Sequence, residues 1–220
     1  MMSPAEQHLV ERYYAFLLNR ISELHAPTIG RSADDGAHKY HVLDSVLAGL
    51  SRQKQRRVSL PKRVFRRFLR KPSPITDGLL LEFGVFKGRT IRKIAATFPD
   101  KEIFGFDSFE GFPSDGRNDW QADFDTRGEF PEVPGNVQLI KGFFETTVPE
   151  FVDRHPQNVL LMHIDCDIFS STRTVFENVR DQIVPGTVIV FDELLHYRGF
   201  ENHEFLAFFL FLLETGLNFE

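Results

Sequence analysis

The sequence predicts an α/β fold of the doubly wound type, in which helices cover both faces of a mainly parallel sheet. From Leu79 onward, short apolar runs alternate with segments of helical periodicity. Continuous apolar runs of about four to eight residues are typical of strands buried on both faces of a parallel sheet. Repeated strand–helix units joined by right-handed crossovers then give a doubly wound, Rossmann-like domain.

Each element of this domain has its own segment of the sequence. The predicted strands are the apolar runs at 79–84, 102–107, 136–142, 159–165 and 186–193, and the predicted helices are the amphipathic segments at 88–98, 146–154, 171–183 and 201–215. These elements belong to a domain spanning residues 76–220. The 24 Phe residues in the chain indicate a Phe-packed core, because a buried Phe needs no hydrogen-bond partner.

The first 75 residues are predicted to form a helical appendage. Helical periodicity covers about 6–24 and 40–50, and Pro72 and Pro74 mark the boundary with the main domain. The segment 52–71 contains ten Lys or Arg residues and no acid. Such a helix is either a solvated face packed on the domain or a contact to nucleic acid or an anionic membrane, and both interpretations stay open.

Composition excludes several classes of protein. A net charge of −5 is untypical of a dedicated nucleic-acid binder. A single Cys excludes an internal disulfide and fits a reducing compartment, and no signal peptide is visible, so we expect a cytoplasmic protein. The longest apolar stretch, 205–213, is well short of the roughly 18 residues that a membrane span requires.

The segment 108–135 is too long and too rich in Gly, Pro and acids to be a simple connection. Loops of this length inside a compact domain are usually functional. Five aromatic residues, among them Trp120 and Phe124, argue against disorder. We therefore predict an ordered lid.

A glycine-containing turn follows the first predicted strand. Gly84 and Gly88 allow the backbone to turn tightly and to approach a ligand at the carboxyl edge of the sheet. Asp107, at the tip of the second strand, is placed to accept hydrogen bonds from ribose hydroxyls. The turn and the acid together predict a nucleoside-bearing cofactor. An NAD-dependent or nucleotide-sugar enzyme is the alternative, although the spacing differs from the G-x-G-x-x-G dinucleotide fingerprint.

Four carboxylates follow the fourth and fifth predicted strands: Asp165, Asp167, Asp192 and Glu193. Acids converging at one sheet edge repel each other, and a divalent cation with oxygen ligands would neutralise them. Such a metal can acidify a substrate hydroxyl while a carboxylate removes its proton. His163 lies on the same predicted strand face and is either a catalytic residue, a ligand or a buried, hydrogen-bonded histidine.

Six motifs, in order, resemble the macrocin O-methyltransferase family of class I methyltransferases, which act on sugars of macrolide and aminocoumarin antibiotics. They are LLLEFGVFKGRTI, IFGFDSFEGFP, VQLIKGFFETTVPEF, HIDCDIFSST, PGTVIVFDE and YRGFENHEFLAFFLF, between about Leu79 and Glu214. The resemblance implies transfer of a methyl group from S-adenosylmethionine to a hydroxyl of a small molecule such as a sugar or natural-product glycoside, with magnesium and often a homo-oligomeric state. It implies no nucleic-acid partner.

The resemblance also assigns roles to residues. The implied cofactor-binding residues are Glu82, Gly84, Phe86, Lys87, Gly88 and Thr90 of the turn, Asp107 with Ser108 and Phe109 at the ribose, and Gly142 and Phe143 near the adenine. The implied magnesium ligands are Asp165, Asp192 and Glu193, and Asp167 is the implied general base. Two departures are expected to matter. Family members often carry Asp-Asp where this chain has Asp192-Glu193, and their sheet usually ends in an antiparallel strand pair that has no counterpart here.

Overall fold

The computed structural model describes residues 75–114, 124–195 and 197–217, together with eight positions between 11 and 50. Its strands are β1 (Leu79–Phe83), β2 (Ile103–Asp107), β3 (Val137–Lys141), β4 (Val159–Ile164) and β5 (Val188–Phe191). Its helices are α1 (Arg89–Thr97), α2 (Phe144–Arg154), α3 (Phe169–Val179) and α4 (Glu204–Thr215). Short 3-10 helices cover Arg180–Gln182 and Phe200–Asn202.

All five strands pair in parallel, in the order β3-β2-β1-β4-β5. From β1 to β3 each new strand is added on one side of β1, and β4 and β5 are then added on its other side. The carboxyl ends of β1 and β4 therefore lie at the switch point, where ligands bind in open α/β sheets. The predicted doubly wound α/β fold is confirmed. The observed strands and helices lie within the predicted segments or differ from their ends by one to four residues.

Helix ends follow from local sequence. α1 begins after Gly88, whose φ of 71° is in the left-handed region, and it ends before Phe98, whose successor is a proline that disfavours helical backbone in the preceding residue. α4 ends at Gly216 with φ 67°, where the backbone N–H returns to the carbonyl of Leu212 at 2.9 Å. A left-handed glycine is the common end of a helix.

The sheet separates two apolar cores. On one face Leu81, Phe83 and Phe106 pack with α2, α3 and α4. On the other face Leu80 and Ile103 pack with α1 and with Leu43 and Leu47. Phe residues make up much of the first core, as the composition predicts. The alternation of Leu79–Phe83 between the two cores is what a strand buried on both faces requires.

The predicted N-terminal helices lie mostly outside the described residues. The described positions between 43 and 50 are helical, and Lys93 of α1 donates to Asp44 at 2.9 Å. The basic segment 52–71 and Trp120 fall outside the described part of the chain. Within the described ranges, no helix combines the length and apolar character needed to cross a bilayer.

Candidate active site

A cavity of about 670 Å³, solvent at its mouth included, opens at the carboxyl edge of β1, β2, β3 and β4. The loops after these four strands form its wall, together with the first turn of α3. The lining residues are Gly84, Phe86, Asp107, Ser108, Gly111, Phe112, Pro113, Phe124, Gly142, Phe143, Phe144, Asp165, Cys166, Asp167 and Ser171. Its position agrees with the rule that open parallel sheets bind ligands beyond their carboxyl ends.

The turn between β1 and α1 crosses the floor of the cavity with little space to spare. Gly84 has φ 91°, and a Cβ at this position would overlap the carbonyl of Asp165. Only glycine therefore fits here, because the backbones of β1 and the β4 loop approach directly. Two positions later, Phe86 has φ 47°, an uncommon value for a bulky residue. Something must hold this part of the turn in place.

The carboxylate of Asp107 holds it. Oδ2 accepts the N–H groups of Val85 at 2.8 Å and Phe86 at 2.7 Å, and Oδ1 accepts the N–H of Phe109 at 2.7 Å. Phe109, with φ 56°, is also in the left-handed region. One side chain thus stabilises both residues with left-handed backbone, Phe86 and Phe109. Because three donors already occupy the carboxylate, a ribose bound there would share Asp107 with the backbone.

Aromatic rings form one side of the cavity. The ring of Phe124, in the return arm of the 108–135 segment, makes edge contacts with Phe86 at 5.4 Å and Phe112 at 5.3 Å between centroids. The same arm is tied to Phe109, whose carbonyl accepts from the backbone of Gly128 at 2.7 Å. The described parts of the predicted lid, 108–114 and 124–135, therefore pack against the glycine turn.

The loop after β4 brings acids to the opposite side. Asp165 and Asp167 both line the cavity, and Asp167 has φ 62°. Burial raises the pKa of Asp165 well above its ordinary value, and the nearby carboxylates of Asp192 and Asp167 raise it further. Asp165 therefore holds a proton more readily than an exposed carboxyl group.

Glu204, the first residue of α4, contacts the loop after β4. Its side chain is buried, and its Oε1 accepts the N–H groups of Cys166 at 3.2 Å and Asp167 at 3.0 Å. Burial raises the pKa of Glu204 well above its usual value, and Asp167 adds to the rise, whereas these two backbone N–H groups oppose it. Burial also raises the pKa of the neighbouring Cys166 thiol, which contacts Thr172 at 3.3 Å.

Glu82 and His163 form a buried pair between β1 and β4. Their positions are directly opposite in the sheet, and His163 Nδ1 lies 3.0 Å from Glu82 Oε1. His163 is 1% exposed and Glu82 is fully buried, and neither lines the cavity. Burial raises the pKa of Glu82, an effect that His163 opposes. Of the alternatives left open by the sequence, the structure places His163 as a buried, hydrogen-bonded histidine.

The four carboxylates do lie at one edge of the sheet, as predicted, because β4 and β5 are neighbours. The N–H of Asp192 donates to Ile164 at 2.9 Å, so Asp192 stands beside the start of the β4 loop. Asp192 and Glu193 do not line the cavity. Across the described ranges, no three His, Cys, Asp or Glu side chains come together in an arrangement that could hold a metal ion. The predicted four-carboxylate metal site is not confirmed.

The predicted cofactor residues divide into two groups. Those that line the cavity are Gly84, Phe86, Asp107, Ser108, Gly142 and Phe143. Those that do not line it are Glu82, Lys87, Gly88, Thr90 and Phe109. Phe109 is fully buried, and its backbone supports the loop, while Gly88 starts α1.

Sequence reasoning missed several residues of the site. Phe112 and Pro113 line the cavity, but the sequence placed them only within the predicted lid, 108–135, and Phe144, which also lines it, is one of 24 Phe residues. The sequence gives Glu204 no particular role, because acids are common in the first turn of a helix. Its spacing to Ala207, Phe208 and Phe211 places it on the buried face of α4, and that periodicity is a signal that could have identified it.

Comparison with known proteins gives one family and a fold. A family model described as a methyltransferase domain matches residues 81–194, more than half of the 220-residue chain. No curated protein matches. A solved structure of CalS11, described as a calicheamicin methyltransferase, is 23% identical with a TM-score of 0.52, and the alignment covers 98% of this chain and 86% of that one.

Two further solved structures are similar. The apo structure of CalS11, described as a TDP-rhamnose 3'-O-methyltransferase, is 23% identical with a TM-score of 0.51 over 96% of this chain and 87% of that one. The O-methyltransferase NovP is 20% identical with a TM-score of 0.49 over 66% of each chain. The two CalS11 structures support the shared fold.

Proposed function

Because this chain belongs to the methyltransferase-domain family, we propose that it transfers a methyl group from S-adenosylmethionine to a hydroxyl of a small molecule. The observation that carries the proposal is the cavity itself. Inside the matched span, the glycine turn after β1 and the carboxylates of the β4 loop face one cavity. This supports a proposal in which the methyl donor and the base lie side by side.

The cofactor half of the proposal uses the β1, β2 and β3 loops. Gly84 lines the cavity, so a bound cofactor would lie against its backbone, and Asp107 and Ser108 lie where a ribose would follow from the end of β2. Phe143 and Gly142, after β3, would adjoin the adenine. The aromatic side formed by Phe86, Phe112 and Phe124 would keep water from the sulfonium end, which favours the transfer because the sulfonium loses its positive charge in that step.

The acceptor half uses the β4 loop. The acceptor oxygen attacks the methyl carbon in line as the carbon–sulfur bond breaks, giving a methyl ether and S-adenosylhomocysteine. Asp167 is the proposed base that takes the hydroxyl proton. Positioning supplies much of the acceleration, because the sulfonium methyl group is already activated.

A divalent cation is a separate component of the proposal, predicted from Asp165, Asp192 and Glu193. Their side chains do not make a three-ligand site in the described residues, so the arrangement shown does not fit a resident metal and no step above depends on one. Titration with EDTA and then with magnesium tests this component. Unchanged turnover in excess EDTA would remove it while leaving methyl transfer intact.

The acceptor is proposed to be a sugar or a natural-product glycoside, as in the macrocin O-methyltransferase family. One structure of similar fold is described as a TDP-rhamnose 3'-O-methyltransferase. A screen should therefore include nucleotide-linked deoxysugars, glycosides and phenols, with a mass increase of one methyl group as readout. A cytoplasmic location and a homo-oligomeric state stay predictions.

Calorimetry provides the first test. We expect S-adenosylhomocysteine to bind and NADH not to bind, and the reverse result would favour the dinucleotide alternative. The second test is Asp167→Asn, a replacement that tolerates left-handed backbone. Removing a general base costs about 10²–10⁴-fold in rate, so kcat should fall by at least about a hundredfold. Binding of S-adenosylhomocysteine should change little.

A further inference from the structure

Glu204 connects the last helix to the loop that carries the proposed base. It is the first residue of α4, lies 37 positions beyond Asp167 and is 1% exposed. Its Oε1 accepts two consecutive backbone N–H groups, those of Cys166 and Asp167.

The loop needs such support because its backbone conformation is uncommon. Asp167 has φ 62°, in the left-handed region, which costs most residues other than glycine about 1–2 kcal/mol, although Asp and Asn adopt it more readily. Ile168 donates to the carbonyl of Cys166 at 2.7 Å, so the chain turns sharply between the end of β4 and the start of α3. A carboxylate that accepts both N–H groups favours this turn over a relaxed, extended one.

We propose that Glu204 is a positioning residue that sets the direction in which the Asp167 carboxylate faces the cavity. It acts through the backbone of the turn and touches neither substrate nor cofactor. The inference rests on the proposed role of Asp167 in methyl transfer. It goes beyond that role, because it makes the docking of α4 a requirement for the geometry of the base.

A residue that only anchors α4 would give different kinetics from one that positions Asp167. Loss of an anchor lowers stability and leaves kcat per folded molecule unchanged. Loss of positioning lowers kcat while the cofactor turn, held separately by Asp107, keeps its affinity. A displacement of about 1 Å at a reacting group can cost about a hundredfold in rate.

The experiment compares Glu204→Ala, Glu204→Gln and the matched control Glu214→Gln, at the far end of α4. For Glu204→Ala we expect kcat to fall at least about tenfold, with the Kd for S-adenosylhomocysteine within about threefold of wild type. Glu204→Gln keeps an oxygen that accepts both N–H groups and should retain kcat within about threefold. Glu214→Gln should match wild type. If the alanine variant does not fold, Glu204→Asp takes its place, since its shorter side chain cannot reach both N–H groups.

Amide hydrogen exchange gives a second readout that does not need an acceptor. Exchange across 160–168 should rise in Glu204→Ala and stay at the wild-type level in Glu204→Gln. Unchanged exchange in the alanine variant overturns the inference, as does wild-type kcat despite faster exchange. A wild-type protein that methylates nothing in the screen sinks the proposed function instead, while exchange still decides whether Glu204 holds the turn.

Discussion

Replacement of Asp107 offers a direct test of how the cavity is built. Its carboxylate accepts three backbone N–H groups at 2.7–2.8 Å, and two of the donors, Phe86 and Phe109, have left-handed backbone. Hydrogen bonds to a charged group contribute about 1.5–3 kcal/mol each. Water can reach the freed N–H groups from the cavity, and the strained residues can relax, so the full sum is not lost. We expect Asp107→Ala to lower the free energy of unfolding by about 3 kcal/mol.

Asp107→Asn should be milder, because one oxygen remains to accept while the amide nitrogen cannot. We expect a loss of about 1–2 kcal/mol, on the same scale of bond strengths. Urea denaturation followed by circular dichroism measures both variants. Asp125→Ala is the control, because Asp125 accepts the N–H of Arg127 at an exposed position. Its loss should stay below about 1 kcal/mol.

The result also separates support of the turn from ribose binding. If support is the main role, the alanine variant loses stability and affinity for S-adenosylhomocysteine together. If Asp107→Ala unfolds within about 0.5 kcal/mol of wild type, a difference typical of neutral surface changes, the reasoning from these three hydrogen bonds is refuted.

Three further changes probe other parts of the structure. Gly84→Ala should prevent folding or cost more than about 3 kcal/mol, because its Cβ would overlap backbone, whereas Gly135→Ala, with nothing within 4 Å, should be within about 1 kcal/mol of wild type by thermal denaturation. Phe124→Ala should weaken S-adenosylhomocysteine binding several-fold, as measured by calorimetry, because Phe124 lines the cavity. Phe130 is 56% exposed and does not line the cavity, so Phe130→Ala should leave binding unchanged, and equal effects of the two variants would contradict an aromatic contribution to the cavity. Burial raises the pKa of Glu82, so the folded state binds the proton of this carboxyl more tightly than the unfolded state, and the free energy of unfolding falls as pH rises above 4.5. Glu82→Gln should make this fall less steep in urea titrations at several pH values, and an unchanged slope would contradict the assignment to Glu82.

Sequence patterns were sufficient for the architecture. Apolar runs locate the five strands, and the signal is clearest for β1, β2 and β4, which are buried on both faces. The edge rule for parallel sheets locates the cavity. Asp107 and Asp167 were both expected at that edge, and both line the cavity. These features depend on periodicity and chain order, which a sequence displays directly.

Periodicity and chain order do not predict where individual side chains point. The left-handed backbone at Asp167 and Phe86 follows from hydrogen bonds made far along the chain, by Glu204 and by Asp107, and residue type alone does not reveal them. Convergence of acids on a metal was inferred from strand ends, yet a shared edge does not fix where each carboxylate is aimed. The role of Glu204 required knowing how α4 docks on the sheet.

The buried pair of Glu82 and His163 has an evolutionary consequence. Glu82 Oε1 and His163 Nδ1 are each other's partners inside an apolar sheet, so replacing one residue alone leaves the other atom without this partner, at a cost of about 1–3 kcal/mol or more. Replacing both with apolar residues of similar volume removes that cost. Among homologous chains the two positions should therefore covary, with acid and imidazole inherited or lost together.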